Sequence, residues 1–309
     1  MLEDKIKRLL SEKNAVILAH NYQRPEVQDI ADFTGDSLEL SIKAMKTEAK
    51  VIVFAGVDFM AEQAAILNPE KKVLHPEKES TCPLAHQLTP EIVDYYRRKY
   101  PKAPLVVYVN SLASVKAKAD YVVTSSSAVK IVSQLDAETV LFGPDRNLAS
   151  YVAEQTGKTV IPIPPDSHCP VHMKITVDCI KAAREKYPRA KILVHPECTP
   201  EVRKLADFIG STSQMVKAVG SLNAEEYVIG TEVGLLHKIR KEYPSKKAYP
   251  ATLEAVCEDM KKITLEKILR ALLEEKYVVA IDKKIADKAR SALERSFELL
   301  GVEVPWSRK

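Results

Sequence analysis

Three of the five cysteines in this chain, Cys82, Cys169 and Cys257, follow one another at intervals of 87 and 88 residues. Thiolates gathered in one place bind soft or borderline metals, so the triplet has two natural uses. It could hold zinc with a fourth ligand such as His172, or an iron-sulfur cluster in which one iron lacks a protein ligand. Zinc usually draws on close cysteine pairs, and no C-x-x-C is present. An iron without a protein ligand is a Lewis acid that can assist the loss of water. Cys179 and Cys198 stand outside the triplet. Cys179 reads as a core position on an amphipathic helix, and Cys198 as a neighbour of the site that binds no metal.

The same interval recurs in polar residues. His20, Tyr108 and His195 each end an apolar run, Tyr22, Asn110 and Glu197 follow two residues later, and Ser37, Ser125 and Thr212 form a third set. This third set is expected to open a helix after Asp36, Thr124 and Ser211, where free N–H groups and the helix dipole attract anions. Singly, a Ser or Thr there is usually a cap, and a strand-end His is usually structural. Repeated in three units that face one axis, the nine side chains converge on a site suited to carboxylates or phosphate. Glu197 beside His195 then reads as the general base and acid, with Tyr22 and Tyr108 donating to developing oxyanions and Asn110, His20 and His195 orienting polar groups.

Positioning these groups requires a repeated scaffold. Ala31-Asp32, Ala119-Asp120 and Ala206-Asp207 recur 88 and 87 residues apart, and Gly56, Gly143 and Gly230 recur at 87. Between them, short Val-, Ile- and Leu-rich runs alternate with helical patterns, which predicts βαβ units around parallel sheets. The expected fold is α/β, with three pseudo-threefold-related αβα sandwich domains, short parallel sheets, and the site and metal at the central axis. The expected domains are residues 1–85 with 258–309, residues 86–172, and residues 173–257. After Cys257 two helices, Thr264 to Glu275 and Ile285 to Leu300, flank the apolar run Tyr277 to Ile281, and this segment is expected to pack on the first unit.

Bulk properties narrow the class. A chain of 309 residues that is 46% hydrophobic can bury a core. Lys and Arg number 46 against 42 Asp and Glu, without a long basic run, which argues against nucleic acid. The N-terminal stretch is an amphipathic helix pattern without a signal-peptide core, and no run of apolar residues is long enough to span a membrane. A cytoplasmic location follows as the expectation, and an odd number of cysteines fits free thiols better than a disulfide framework.

The run LAHNYQ-x-PE-x-QDIADF-x-GDSL at Leu18 to Leu38, followed in order by TCP, YVNS, FGPDRNL, HCPVH, HPEC, GST and IGTE, resembles the quinolinate synthase family. The resemblance covers about Lys5 to Gly301. It implies a 4Fe-4S cluster on Cys82, Cys169 and Cys257 with one iron open to substrate. The implied reaction condenses iminoaspartate with dihydroxyacetone phosphate to quinolinate, losing phosphate and two waters, in NAD biosynthesis. An aspartate oxidase or dehydrogenase is the implied supplier of the imine. Carried over by position, the substrate-binding residues are His20, Ser37, Tyr108, Val109, Asn110, Ser125, His172, His195, Pro196, Glu197 and Thr212, and the catalytic ones are Glu197, His195, Tyr22, Tyr108 and His20. Two alternatives stand beside it: another 4Fe-4S hydro-lyase, which would need no phosphorylated three-carbon co-substrate, and a cluster-based redox sensor, which nine clustered polar residues weigh against. The sequence departs from the family at Ile263, where many members carry Asn, and at Pro165 and Ser167, which replace a Gly-containing loop before His168.

Overall fold

A computed structural model describes residues 1–304 of the chain. One order of eight elements, αβαβαβαβ, is laid down three times. The first pass runs α1 (Leu2–Glu12), β1 (Ala15–His20), α2 (Pro25–Ile30), β2 (Phe33–Gly35), α3 (Ser37–Lys46), β3 (Val51–Ala55), α4 (Asp58–Leu67) and β4 (Lys72–Leu74). The second runs α5 (Pro90–Lys99), β5 (Leu105–Tyr108), α6 (Ala113–Lys116), β6 (Tyr121–Val123), α7 (Ala128–Gln134), β7 (Thr139–Gly143), α8 (Arg146–Thr156) and β8 (Thr159–Pro162). The third runs α9 (Val177–Lys186), β9 (Lys191–Val194), α10 (Pro200–Arg203), β10 (Phe208–Ile209), α11 (Thr212–Ser221), β11 (Glu226–Gly230), α12 (Leu235–Glu242) and β12 (Lys247–Pro250). A tail of α13 (Glu258–Lys261), α14 (Leu265–Glu274) and α15 (Lys283–Leu300) follows.

Each pass forms a four-stranded parallel sheet, ordered β2-β1-β3-β4, β6-β5-β7-β8 and β10-β9-β11-β12. The three together make the expected set of αβα sandwiches. Near-continuous apolar strands explain the choice: β3 is VIVFA and buried throughout, as a strand covered by helices on both faces must be. One face of the first sheet packs Ile17, Val51 and Val53 against Ile6 and Leu9 of α1 and Ile268 and Leu272 of α14. Its other face, with Leu18 and Ile52, shares a continuous apolar core with Val106 and Phe142 of the second sheet. The third sheet keeps two clusters of its own.

The Ala-Asp steps turn out to be structural. Asp32, Asp120 and Asp207 each begin the approach to the edge strand, and each accepts the backbone N–H of Ile17, Leu105 and Ile192, at 2.7, 2.7 and 2.9 Å. Their own N–H groups donate to the carbonyls of the same three residues. Each aspartate thus closes the amino end of its first strand.

Neighbouring units are stapled by buried donors that share one repeat position. Gln28 on α2 donates to the carbonyl of Gly234, Lys116 on α6 to that of Phe59, and Arg203 on α10 to that of Asn147. First binds third, second binds first, and third binds second, which closes a ring. Burial pushes the Lys116 ammonium down to about 7, with Glu62 and Asp58 opposing that fall.

The tail divides instead of packing wholly on the first unit. Helix α14 lies on α1, and Leu74 bridges Val278 in antiparallel sense. Helix α15 crosses to the second unit, against α6 and β6, where Ser296 Oγ accepts from the N–H of Val122 and Arg295 donates to the carbonyls of Ala119 and Asp120. The reason is apolar complementarity: Ala289, Ala292, Leu293 and Phe297 form the buried stripe of α15 and join the shared core. Ile263 is fully buried in the cluster beneath the first sheet, so the departure from Asn there is a packing change away from the axis.

Candidate active site

The carboxyl ends of the three sheets face one cavity, as parallel α/β architecture dictates. Its wall includes His20, Tyr22, Ser37, Tyr108, Val109, Asn110, Ser125, His172, His195, Glu197 and Thr212, with Cys82, Cys169 and Cys257 in the same wall. All nine polar residues of the three repeated sets therefore come together. Pro196 lies outside the wall, because its carbonyl turns to accept from Arg203. Ser37 and Thr212 begin α3 and α11 as expected, behind the N-caps Asp36 and Ser211. Ser125 does not begin a helix: α7 starts at Ala128. The hydroxyls of Thr124, Ser126 and Ser127 compete with helical bonding, since Ser127 Oγ accepts from the N–H of Thr124 and Thr124 Oγ1 pairs with Ser126 Oγ.

Two of the histidines are built alike. The N–H of Tyr22 donates to Nδ1 of His20 at 3.2 Å, and the N–H of Glu197 donates to Nδ1 of His195 at 3.3 Å. Each ring therefore carries its proton on Nε2, and in His195 that atom lies 3.2 Å from Ser125 Oγ. Burial pushes both rings down to about 3, helped at His20 by Lys261 and Lys238 and resisted at His195 by Glu197. Both are neutral N–H donors at physiological pH. The His195 ring stacks on that of His172 at 4.6 Å between centroids, an arrangement that two imidazolium ions would resist.

Glu197 is 2% exposed, and its Oε2 lies 2.7 Å from His172 Nδ1 and 3.9 Å from His195 Nδ1. Burial pushes this carboxyl up, yet His172 and a hydrogen bond from Tyr108 overrule it, and Glu197 is held below the usual carboxylate range. Burial and the Glu197 charge raise both tyrosines well above their ordinary range, so Tyr22 and Tyr108 remain hydroxyl donors. The cavity thus holds an ionised Glu197 among neutral donors, with the carboxyl of Asp36, raised by burial, in the same wall.

The cysteines are half-buried and free of disulfides. Each follows the fourth strand of its unit and begins a short helical turn, and each sulfur faces a backbone N–H three residues on, from Ala85, His172 and Met260. Burial pushes all three thiols up, Cys257 to about 11. A cationic metal group must therefore displace their protons on binding. Three sulfurs in one wall, each with its own N–H, fit a cluster that takes one ligand from each unit. A single divalent ion is the lesser fit: Cys169, His172 and Glu197 offer ligand atoms within 4.8 Å of one another, but such a site leaves Cys82 and Cys257 unused.

Several residues of the site escaped the sequence reading. Thr231 Oγ1 bridges Tyr22 OH at 2.5 Å and His172 Nε2 at 2.8 Å, and Asn21 Nδ2 donates to Thr212 Oγ1 at 2.9 Å. Thr231 has no polar counterpart at 87-residue spacing, since Pro144 and Val57 stand there, so the repeat does not signal it. Asp58, Asp145 and Glu232 do carry the signal at 87-residue intervals, and they bind the three cysteine loops. Cys179 sits half-exposed on the first turn of α9, beside Thr176 Oγ1, so the core position expected for it is corrected; Cys198 is fully buried with Sγ toward the carbonyl of Gly230. The loop before His168 is held by Ser167, whose Oγ donates to Pro164 and whose carbonyl accepts from Arg146.

Residues 4–298 match the family described as quinolinate synthetase A protein. The quinolinate synthase of Methanocaldococcus jannaschii is 54% identical over 301 residues, covering 96% of this chain and 98% of the relative. That of Pyrococcus abyssi is 55% identical over 296 residues, with 96% and 98% covered. The Thermotoga maritima quinolinate synthase is 52% identical over 298 residues, with 96% and 99% covered. Among the described residues, no helix is long and apolar enough to cross a membrane.

Proposed function

The chain belongs to the quinolinate synthetase A family, whose members are iron-sulfur enzymes that make quinolinate for NAD biosynthesis, and on that premise we propose that its cavity joins iminoaspartate to dihydroxyacetone phosphate. Phosphate and two waters leave, and no oxidant is required. The observation that carries this reading is the convergence of the ionised Glu197, two neutral histidines and three thiols, drawn from all three units, on one cavity.

Both substrates are anionic, and the wall meets them with neutral donors. Ser37 and Thr212 add their hydroxyls to the N-termini of α3 and α11, while Ser125 and the Nε2–H groups of His20 and His195 donate from other sides. Asn110 supplies an amide between them. Glu197, held ionised by its neighbours, takes a proton from carbon as imine and enamine interconvert and returns it to a departing hydroxyl. Arrival of an anionic substrate raises its proton affinity, which suits it to that exchange. Tyr22 and Tyr108, kept protonated, donate to oxygens that gain negative charge. Cys82, Cys169 and Cys257 would hold a 4Fe-4S cluster, which supplies a Lewis-acidic iron without a protein ligand.

Iron and acid-labile sulfide content after anaerobic purification tests this reading. Each of Cys82→Ser, Cys169→Ser and Cys257→Ser is expected to lose the cluster, while Cys179→Ser keeps it and forms quinolinate from the two substrates. Zinc alone in the wild type, or product formed without dihydroxyacetone phosphate, would overturn it.

A further inference from the structure

Beside each cysteine stands a carboxylate at one repeat position. Asp58 Oδ1 accepts the N–H of Cys82 at 3.1 Å, Asp145 Oδ2 that of Cys169 at 2.9 Å, and Glu232 Oε1 that of Cys257 at 3.2 Å. The same carboxylates also hold the turn that begins the next helix: Asp58 Oδ1 accepts from the N–H of Phe59 at 2.8 Å, Asp145 Oδ1 from Leu148 at 2.8 Å, and Glu232 Oε2 from Gly234 at 2.7 Å. Asp145 keeps this place at a φ of 81°, a backbone conformation that disfavours side chains. Gln28, Lys116 and Arg203 of the neighbouring units bind the carbonyls of Gly234, Phe59 and Asn147, in the same three turns. Each turn is thus fixed from outside, and its carboxylate hands that fixity to one cysteine.

We propose that Asp58, Asp145 and Glu232 are positioning residues that hold the three cysteine loops ready, so that the sulfurs face one point before a metal group arrives. The proposal rests on reading Cys82, Cys169 and Cys257 as cluster ligands. A backbone N–H with no partner would otherwise turn toward solvent or a sulfur and carry its loop with it. The three devices also differ in a way that can be measured. In the first, one oxygen makes both backbone bonds while Oδ2 pairs with His86 Nε2 at 2.6 Å. In the other two, the backbone bonds fall on different oxygens. An amide can replace the first carboxylate but not the second or third, because its nitrogen cannot accept.

The test is the alkylation rate of each cysteine in the full-length chain, followed by mass spectrometry after metal removal, with iron and sulfide uptake measured in parallel on anaerobic loading. Asp58→Ala is expected to speed labelling of Cys82 alone, on the order of tenfold for one charge-assisted hydrogen bond lost. Asp58→Asn should stay near wild type although it removes the same charge, which separates pinning from electrostatics. Asp145→Ala should free Cys169 alone and Glu232→Ala should free Cys257 alone, while Asp145→Asn and Glu232→Gln, which keep one accepting oxygen for two backbone N–H groups, should fall between alanine and wild type. Slower iron uptake should accompany each freed cysteine. Unchanged rates, a common rise across all five cysteines, or Asp58→Asn matching Asp58→Ala would overturn the proposal. Wild type that takes up no iron would overturn the cluster reading instead, and the labelling pattern would then decide the positioning role by itself.

Discussion

At the amino ends of β1, β5 and β9 the three units carry the same device, an aspartate closing the strand with paired backbone bonds. At the carboxyl ends of those strands the units differ: His20 with Tyr22, Tyr108 with Asn110, and His195 with Glu197. The load at the amino end is identical in each unit, a strand N–H that needs an acceptor, so one residue type serves three times. The substrates proposed for the other end have no threefold symmetry. Each unit must present a different group to a different atom, and the repeat is kept in position while it is lost in chemistry.

Substitutions at the two ends should separate accordingly. The largest effect is expected from Glu197→Gln, which should lower kcat for quinolinate formation by about 10²- to 10⁴-fold, the usual reach of a positioned acid-base group, while the cluster is retained. Activity that survives this change would move the base elsewhere.

Acid should distinguish the ends next. His20 and His195 are lowered to about 3 in the folded protein, chiefly by burial, against about 6.5 when unfolded. Between those values the unfolded chain binds the extra protons, so stability rises with pH across the window and is lost as pH falls from about 6.5 toward about 3. Glu197, also held low, adds a loss of the same sign below about 4.3. Unfolding free energies from denaturant titrations across this range should fall less steeply for His20→Gln than for the wild type, by at most about 1.4 kcal/mol per pH unit. Parallel curves would show that the ring is not buried neutral.

The smallest effect is expected at the amino end. Asp120→Ala leaves the N–H of Leu105 without its side-chain acceptor and should cost about 1–3 kcal/mol in a denaturation experiment, with kcat per folded molecule unchanged. A change in kcat there would mean that the strand ends are mechanically coupled.

Much of this was legible because the repeat is long and nearly exact in register. The strand-end and turn residues could be aligned through the Ala-Asp steps, and the three sheets share one strand order as that alignment requires. The reading of Ser125 as a helix start failed because periodicity carries no account of the hydroxyls of Thr124, Ser126 and Ser127 competing for one turn. Asp58, Asp145 and Glu232 bore the repeat spacing but differ in type, and a carboxylate before a helix reads as an ordinary cap until its second partner is seen. Thr231 bore no signal, since its role depends on Tyr22 and His172 approaching from other units. The destination of α15 was equally hidden, because a buried stripe states that a partner exists and not which surface it is.

The sequence by itself determined the period, the α/β class, the family and the nine repeated polar side chains that line the cavity, because local hydrophobic pattern and repeat spacing are properties of the chain alone. Only the tertiary structure decided which units share an apolar core and which are stapled by buried donors, which histidine nitrogens carry protons, and that Glu197 stays ionised despite its burial. Those features are set by distances between residues far apart in the chain, and such distances exist only after the three sheets have closed around the cavity.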